Sequence, residues 1–206
     1  MQTRAKQFLA LCFAVVLSVS LLVGCGGGDT STPDGMLSAS LEAVKNGDLK
    51  AMAQISGEEL SDDMDAGQMS KLMKALFSKV DVSVSLKESD EKTATVSVKG
   101  TTGDLSTLST AMATEMQTVV TEWASKNVDK LMTMTEEEVA KETLNVMLPV
   151  LEKHTKEIAS KDVDTEIKME KDDDGKWQVA DESSDDMALI LFGSNSIKDM
   201  DDILVF

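Results

Sequence analysis

Residues 80–99 read Val-Asp-Val-Ser-Val-Ser-Leu-Lys-Glu-Ser-Asp-Glu-Lys-Thr-Ala-Thr-Val-Ser-Val-Lys, and this stretch decides the fold class. Apolar side chains occupy every second position on both sides of a polar segment at residues 88–91. Successive side chains of a strand point to opposite faces of a sheet, so this alternation predicts a β-hairpin with one apolar and one solvated face.

A second period-two stretch begins at residue 163. Val163, Ile167 and Met169 alternate with charged residues, and a polar turn at residues 171–176 leads into Trp177. An isolated hairpin is barely stable in water. We therefore expect the two hairpins to join in a four-stranded antiparallel curved sheet, with Trp177 on the same buried face as the valines of the first hairpin.

The remaining segments show helical periodicity and recognisable helix ends. Gly47 and Asp48 form a helix stop followed by a helix start, because glycine accepts the left-handed cap conformation and aspartate caps amide groups. Thr135 and Glu138 form a capping box, and Pro149 lies inside the helix that follows, where a kink and continuation are expected. The predicted helices cover residues 36–55 in two pieces, 67–79, 104–124, 135–158 and 184–192.

These elements predict an α+β domain in which amphipathic helices cover the apolar sheet face. The two long helices between the hairpins form a helical-pair insertion. The predicted domain covers residues 36–193, and an apolar C-terminal tail follows at residues 194–206.

The N-terminus carries an export and lipidation signal. Arg4 and Lys6 precede an apolar run at residues 8–23, which is too short for a comfortable membrane span. The run ends in Leu22-Val23-Gly24-Cys25, which resembles the lipobox of bacterial lipoproteins. Residues 1–24 are therefore interpreted as a signal peptide cleaved between Gly24 and Cys25, with lipid on Cys25. The alternative is an ordinary signal peptide with an incidental cysteine.

Residues 25–35 are rich in glycine, serine and threonine and are predicted to be a flexible tether. The predicted location is the outer face of the cell membrane, held by two or three acyl chains such as palmitate. Cys12 lies in the removed segment, so the mature chain would contain no disulfide.

Composition excludes several functional classes. Removal of residues 1–24 takes away two basic residues and no acidic ones, which moves the formal net charge from −17 to −19. Such an acidic chain is unsuited to nucleic acid, whose binding needs clustered Lys and Arg. The chain has no Tyr and two Trp, so aromatic platforms for sugars or nucleobases are scarce.

The order of these motifs resembles a known family. A lipobox precedes a helix ending in Ala-Val-Lys-Asn-Gly-Asp-Leu (residues 43–49), then come the first hairpin, the helical insertion and a hairpin ending in Asp-Gly-Lys-Trp-Gln-Val (residues 174–179). This resembles the lipoproteins of unknown function from Gram-positive bacteria with a nuclear-transport-factor-2-like (cystatin-like) domain. The resemblance covers residues 36–192 and implies a curved sheet wrapped on helices around a central cleft. It carries no functional residue over.

The sequence holds few candidates for chemistry. His154 lies in a charged helical stretch and is interpreted as a solvated surface imidazole rather than a general base. Glu170, Asp172, Asp174 and Gly175 match part of a calcium loop, but the alternation that follows favours a hairpin turn. Without a second histidine or a free thiol, we expect no transition-metal site and no cofactor.

Two functional classes remain open. The first is a non-catalytic module on the outer face of the membrane that binds an envelope protein, a peptide or an apolar ligand in the cleft between the sheet and the long helices. The alternative is a pocket enzyme of the isomerase or dehydratase type, which rests on fold analogy alone. A buried carboxylate in a deep cleft would favour the enzyme, and a filled interior would favour the binding module.

Overall fold

The computed structural model describes residues 29–56, 66–105 and 110–194, and in these residues the predicted α+β fold is confirmed. The sheet has four antiparallel strands in the order β1-β2-β3-β4. They are β1 (Asp81–Ser89), β2 (Thr93–Gly103), β3 (Ser160–Lys171) and β4 (Trp177–Val179). Each predicted hairpin is present, and β2 joins the two by pairing along its whole length with β3.

Helices flank the strands in chain order. In the described ranges, three helices precede the sheet, three lie between the hairpins and one follows β4 after a 3-10 turn at Asp181–Ser183. They are α1 (Pro33–Asn46), α2 (Leu49–Ser56), α3 (Ala66–Phe77), α4 (Thr110–Lys126), α5 (Val128–Leu131), α6 (Glu136–Glu157) and α7 (Ser184–Phe192). Among the described residues, no helix combines the length and apolar character needed to cross a membrane.

The helix ends follow the predicted chemistry. Gly47 adopts φ 61°, which ends α1. The Asp48 carboxylate then accepts a hydrogen bond of 3.0 Å from the Ala51 amide near the start of α2. At the start of α6 the Thr135 hydroxyl accepts from the Glu138 amide, and the Glu138 carboxylate accepts from the Thr135 amide at 2.8 Å. Pro149 lies within α6, which continues to Glu157 as predicted.

The strand register places the apolar residues on one face. Val84 pairs with Val98, and Val98 pairs with Thr165 on the next strand. Trp177 lies opposite Lys171. Lys171 is an even number of residues after Thr165 in β3, so both side chains point to the same face of the sheet. Val98 is fully buried and Trp177 is 5% exposed, so the prediction that the tryptophan shares this face is confirmed.

The turn of the first hairpin differs from the prediction. β1 continues to Ser89, and a bulge at Lys87 places two residues opposite one of β2. The Asp90 carboxylate then accepts hydrogen bonds from the amide groups of Lys92 and Thr93. Because this carboxylate closes the turn, the turn lies at residues 90–92 rather than at residues 88–91.

Amphipathic helices cover the apolar face of the sheet, as predicted. The covering helices are α1 and α7, because α1 packs against both edge strands, β1 and β4, and α7 packs against β2 and β3. The sheet therefore curves around α1. The long helices α4 and α6 pack chiefly on each other and, through α6, on α3.

The interior beneath the sheet is filled by side chains. Leu37 of α1, Ile190 of α7 and Phe77 at the end of α3 belong to one continuous apolar cluster with the buried strand residues. The Phe77 ring also packs edge to face against Phe192, with ring centroids 5.5 Å apart. In the part of the chain that the structure describes, the space beneath the sheet is therefore occupied by the protein core.

Candidate functional site

The predicted lipidation motif, Leu22 to Cys25, lies outside the described residues. The described chain begins with a turn in which the Asp29 carboxylate accepts hydrogen bonds from the Ser31 amide and hydroxyl at 3.0 and 2.5 Å. Thr32 then caps α1 by accepting from the Gly35 amide at 3.2 Å, and Pro33 is the first helical residue. The predicted tether at residues 25–35 is thus too long, because its last three residues belong to α1.

The orientation of α1 fixes where the N-terminal segment leaves the domain. Lys45, near the C-terminal end of α1, forms an ion pair of 3.3 Å with Asp81 at the start of β1. α1 also packs against β4, which pairs with the end of β3 at the other end of the sheet. The N-terminus of α1 therefore points towards the end of the sheet that carries both hairpin turns.

The outer face of the sheet is polar and open to solvent. We call it the exposed sheet face, formed by the outward side chains of β1, β2 and β3. Its centre consists of small hydroxyl residues, since Ser85 pairs with Ser97 and Ser97 pairs with Glu166. Such a surface offers hydrogen-bonding groups instead of apolar pockets.

Ion pairs cross the exposed sheet face between side chains of β1, β2, β3 and the 3-10 turn after β4. Lys87 contacts Glu166 at 2.6 Å, Lys99 contacts Asp164 at 3.1 Å and Lys168 contacts Glu182 at 2.9 Å. The hydrogen bond to Glu166 and its negative charge raise the pKa of Lys87 above its ordinary value. These pairs are exposed, so each one contributes little to stability.

A shallow depression of about 540 Å³ lies where the exposed sheet face meets the hairpin turns. It has a mixed lining in which carboxylates outnumber amines, and it includes Glu88, Thr95, Lys168, Glu170 and Glu182. The carboxylates already have partners: Glu88 accepts from the Thr95 hydroxyl, Glu170 accepts from the Gln178 side-chain amide, and Glu182 contacts Lys168. The depression thus belongs to an exposed, acidic surface.

The segment that partly matches a calcium loop is a hairpin turn, as predicted. The Asp172 carboxylate accepts from the amide groups of Asp174 and Lys176, both at 2.9 Å, and Gly175 adopts φ 79°. An oxygen that already accepts two backbone amides is poorly placed to bind a cation. In the part of the chain that the structure describes, no three His, Cys, Asp or Glu side chains converge as metal ligands.

The interpretation of His154 as a solvated imidazole is wrong. Its side chain is only 16% exposed, and its Nε2 lies 2.8 Å from the Glu115 carboxylate of α4. Lys153 contacts both oxygens of the same carboxylate at 2.8 and 2.9 Å. These hydrogen bonds, first from Lys153 and then from His154, hold the pKa of Glu115 below its ordinary value.

The cluster of Glu115, Lys153 and His154 connects α4 to α6, so we interpret it as a structural contact between the two long helices. His154 and Glu115 are 39 residues apart. No sequence motif links them, because their contact depends on how α4 packs against α6. The amphipathic period of each helix indicated an apolar stripe but did not indicate which polar residues would border the packed surface.

These features define an acidic α+β domain whose polar sheet face is exposed and whose opposite face is packed on helices. Residues 37–191 match the family described as a domain of unknown function, DUF5105. The chain belongs to this family. No curated protein matches it.

One solved structure shows a weak similarity. It is titled as a putative lipoprotein (ycdA) from Bacillus subtilis, with 19% sequence identity and a TM-score of 0.39. The match covers 91% of this chain and 55% of that chain, so the present chain spans about half the length of the other. A similarity of this size transfers neither a fold nor a function.

Proposed function

We propose that this protein is a lipid-anchored, non-catalytic binding module on the outer face of the cell membrane, and that it binds a protein partner through the exposed sheet face. The observation that carries the proposal is the filled interior. Leu37, Val96 and Ile190 are at most 1% exposed beneath the sheet. Because the core occupies the space where a pocket ligand would sit, recognition falls to the outer surface.

The same core bears on the enzyme alternative. The buried polar residues in the described part of the chain are Ser40, Gln68, Thr102, Thr155 and Ser183, and none of them carries a carboxylate. Isomerases and dehydratases that abstract a proton need a positioned acid–base group beside the substrate. The arrangement therefore supports the binding module over the pocket enzyme.

The anchor is proposed from residues 22–25 and from the start of α1. A lipid on Cys25 would be followed by a short glycine-rich segment and then by a capped helix at Pro33. The curvature of the sheet around α1 also supports a cone of the nuclear-transport-factor-2-like type. In that arrangement α1 would be both the helix nearest the anchor and the helix on which the sheet is built.

Lipidation is tested by replacing Cys25 with Ala in the full-length chain. Cells are labelled with an alkyne fatty acid, and the label on the protein is compared with that on wild type. We expect the label to be lost and the precursor to keep residues 1–24. Cys12→Ala is the matched control and should leave the label unchanged. Equal labelling of Cys25→Ala and wild type would contradict the anchor.

The binding surface is tested by photocrosslinking in intact cells. A photoreactive amino acid replaces Ser97 at the centre of the exposed sheet face, and in a second variant it replaces Glu122 on the exposed side of α4. We expect a discrete protein adduct from the Ser97 position that is absent from the Glu122 position. No adduct, or the same adduct from both positions, would contradict recognition by the sheet face.

A further inference from the structure

The first strand of the sheet has an unpaired edge. The strand order leaves β1 at one side, with β2 as its neighbour on the other. Within the described residues, no backbone hydrogen bond connects β1 to any segment beyond β2 and the adjoining turn. Every second residue of such a strand directs its N–H and C=O groups away from the sheet, so β1 can template another strand.

The exposed apolar surface at this edge is localised. Leu86 lies on the same face of β1 as Val82 and Val84, yet 45% of its surface is exposed. Val82 and Val84 are partly buried against the core. Natural edge strands are usually protected by charges or bulges. In β1 the bulge follows Leu86, which leaves six residues of regular edge before it.

The sequence of this edge is complementary to itself. Residues 81–87 read Asp-Val-Ser-Val-Ser-Leu-Lys, with Val84 at the centre. If two copies align antiparallel about Val84, Asp81 lies opposite Lys87, Val82 opposite Leu86 and Ser83 opposite Ser85. Opposite charges and apolar pairs directly across two strands stabilise their pairing, whereas like charges oppose it.

We propose that two copies of this chain associate by antiparallel pairing of β1 with β1, centred on Val84. The product is a continuous eight-stranded sheet whose halves are related by a two-fold axis. This contact is isologous, because the same surface serves both copies and the assembly closes at two chains.

The side-chain positions in the single chain suit this pairing. Asp81 is 85% exposed, and Lys87 is 54% exposed. Lys87 is the bulged residue of β1. Its amine contacts Glu166 on the exposed sheet face. Asp81 alternates with Val82 and therefore lies on the same exposed face. In the dimer the Lys87 side chain would turn from Glu166 towards the edge and contact Asp81 of the second copy, whose carboxylate also contacts Lys45 of its own chain. Leu86 is covered at the same time by Val82 of the second copy.

The test uses a cysteine at the proposed symmetry axis. Val84→Cys is introduced into the full-length chain in its native membranes, and mild oxidation is followed by measurement of the disulfide-linked dimer. Residues directly opposite in antiparallel strands are close enough for a disulfide. We expect a linked dimer from Val84→Cys, and none from Ser97→Cys, whose strand is not at the edge.

Charge reversal then tests the register. Lys87→Asp places like charges opposite each other at both ends of the contact, so the yield of linked dimer should fall by roughly tenfold. Adding Asp81→Lys reverses both partners and should restore the yield, although it does not restore the ion pairs within each chain. Lys99→Asp is the matched control, since it removes an exposed pair on β2.

Circular dichroism and the urea midpoint of each variant establish that the chain is folded. The proposal is overturned if Val84→Cys yields no linked dimer, or if the double reversal stays as low as Lys87→Asp. It is also overturned if Lys99→Asp lowers the yield as much as Lys87→Asp. If the cysteine introduced by Val84→Cys links to a different protein in place of a second copy, the edge belongs to another partner, and the proposal is likewise overturned.

Discussion

Thr102 offers a sharp test of the packing beneath the sheet. It lies on the covered face of β2, is fully buried, and its hydroxyl has no hydrogen-bond partner among the described residues. A buried polar group without a partner loses its hydration and gains nothing in return, at a cost of about 1–3 kcal/mol. Valine has nearly the same shape and replaces the hydroxyl with a methyl group. We therefore expect Thr102→Val to raise the free energy of unfolding by about 1–3 kcal/mol.

Thr165 supplies a matched control on the same face of the neighbouring strand. Its hydroxyl donates a hydrogen bond of 2.7 Å to the Asp186 carboxylate of α7. Thr165→Val removes this bond to a charged group, so the free energy of unfolding should fall by about 1–2 kcal/mol. The same Thr→Val substitution is thus expected to raise the free energy of unfolding at residue 102 and to lower it at residue 165.

The assay is urea unfolding at neutral pH, followed by tryptophan fluorescence. Linear extrapolation gives the free energy of unfolding of each variant, provided that the slope with urea is unchanged. A loss of stability on Thr102→Val equal to that on Thr165→Val would refute the reasoning. It would mean that the Thr102 hydroxyl is satisfied in solution, and that the packing around the end of β2 differs from the one described.

Three further outcomes are expected. Gly47→Ala should lower the urea midpoint of unfolding strongly, because Gly47 has φ 61° and an added Cβ would lie 2.2 Å from a backbone carbonyl oxygen of α3. Gly175→Ala is the control: its added Cβ meets no atom within 4 Å, so the midpoint should fall less. Trp177→Ala should cost about 3–5 kcal/mol in urea unfolding, since the ring is 5% exposed; an unchanged midpoint would mean that β4 is wrongly placed. The pKa of Glu115 is depressed, chiefly by Lys153, so its contribution to stability is present above its ordinary pKa of 4.5 and is lost as the pH falls through the lowered value. Glu115→Gln should therefore flatten the urea midpoint against pH in the acid range, and an identical pH profile would contradict the contact.

The sheet and the helix ends could be predicted because their signals are local. Alternation over residues 80–99 fixes which side chains share a face, and the apolar residues of a strand must then face the core. The capping box at Thr135 and the left-handed Gly47 are likewise satisfied within one or two turns of chain. Each of these features depends on neighbours in sequence, which the sequence itself displays.

The helix that covers the sheet could not be predicted in the same way. An amphipathic stripe shows that a helix buries one side, but several helices have such a stripe and any of them could have covered the strands. Here α1 and α7 took that position, while α4 packed on α6. The exposed sheet face emerged as a candidate for recognition only after this choice was known. For the same reason the Glu115–His154 contact was missed, since it exists only where those two helices meet.

The position of α1 links the fold to the proposed anchor. With lipid on Cys25, six residues would separate the anchor from the Thr32 cap, and such a segment could reach at most roughly 25 Å. The mature chain would have a formal net charge of −19. An anionic membrane surface would repel such a domain over about 8 Å at physiological salt. Because α1 begins near the hairpin turns, the proposed anchor would place those turns towards the bilayer and would leave the exposed sheet face beside the membrane.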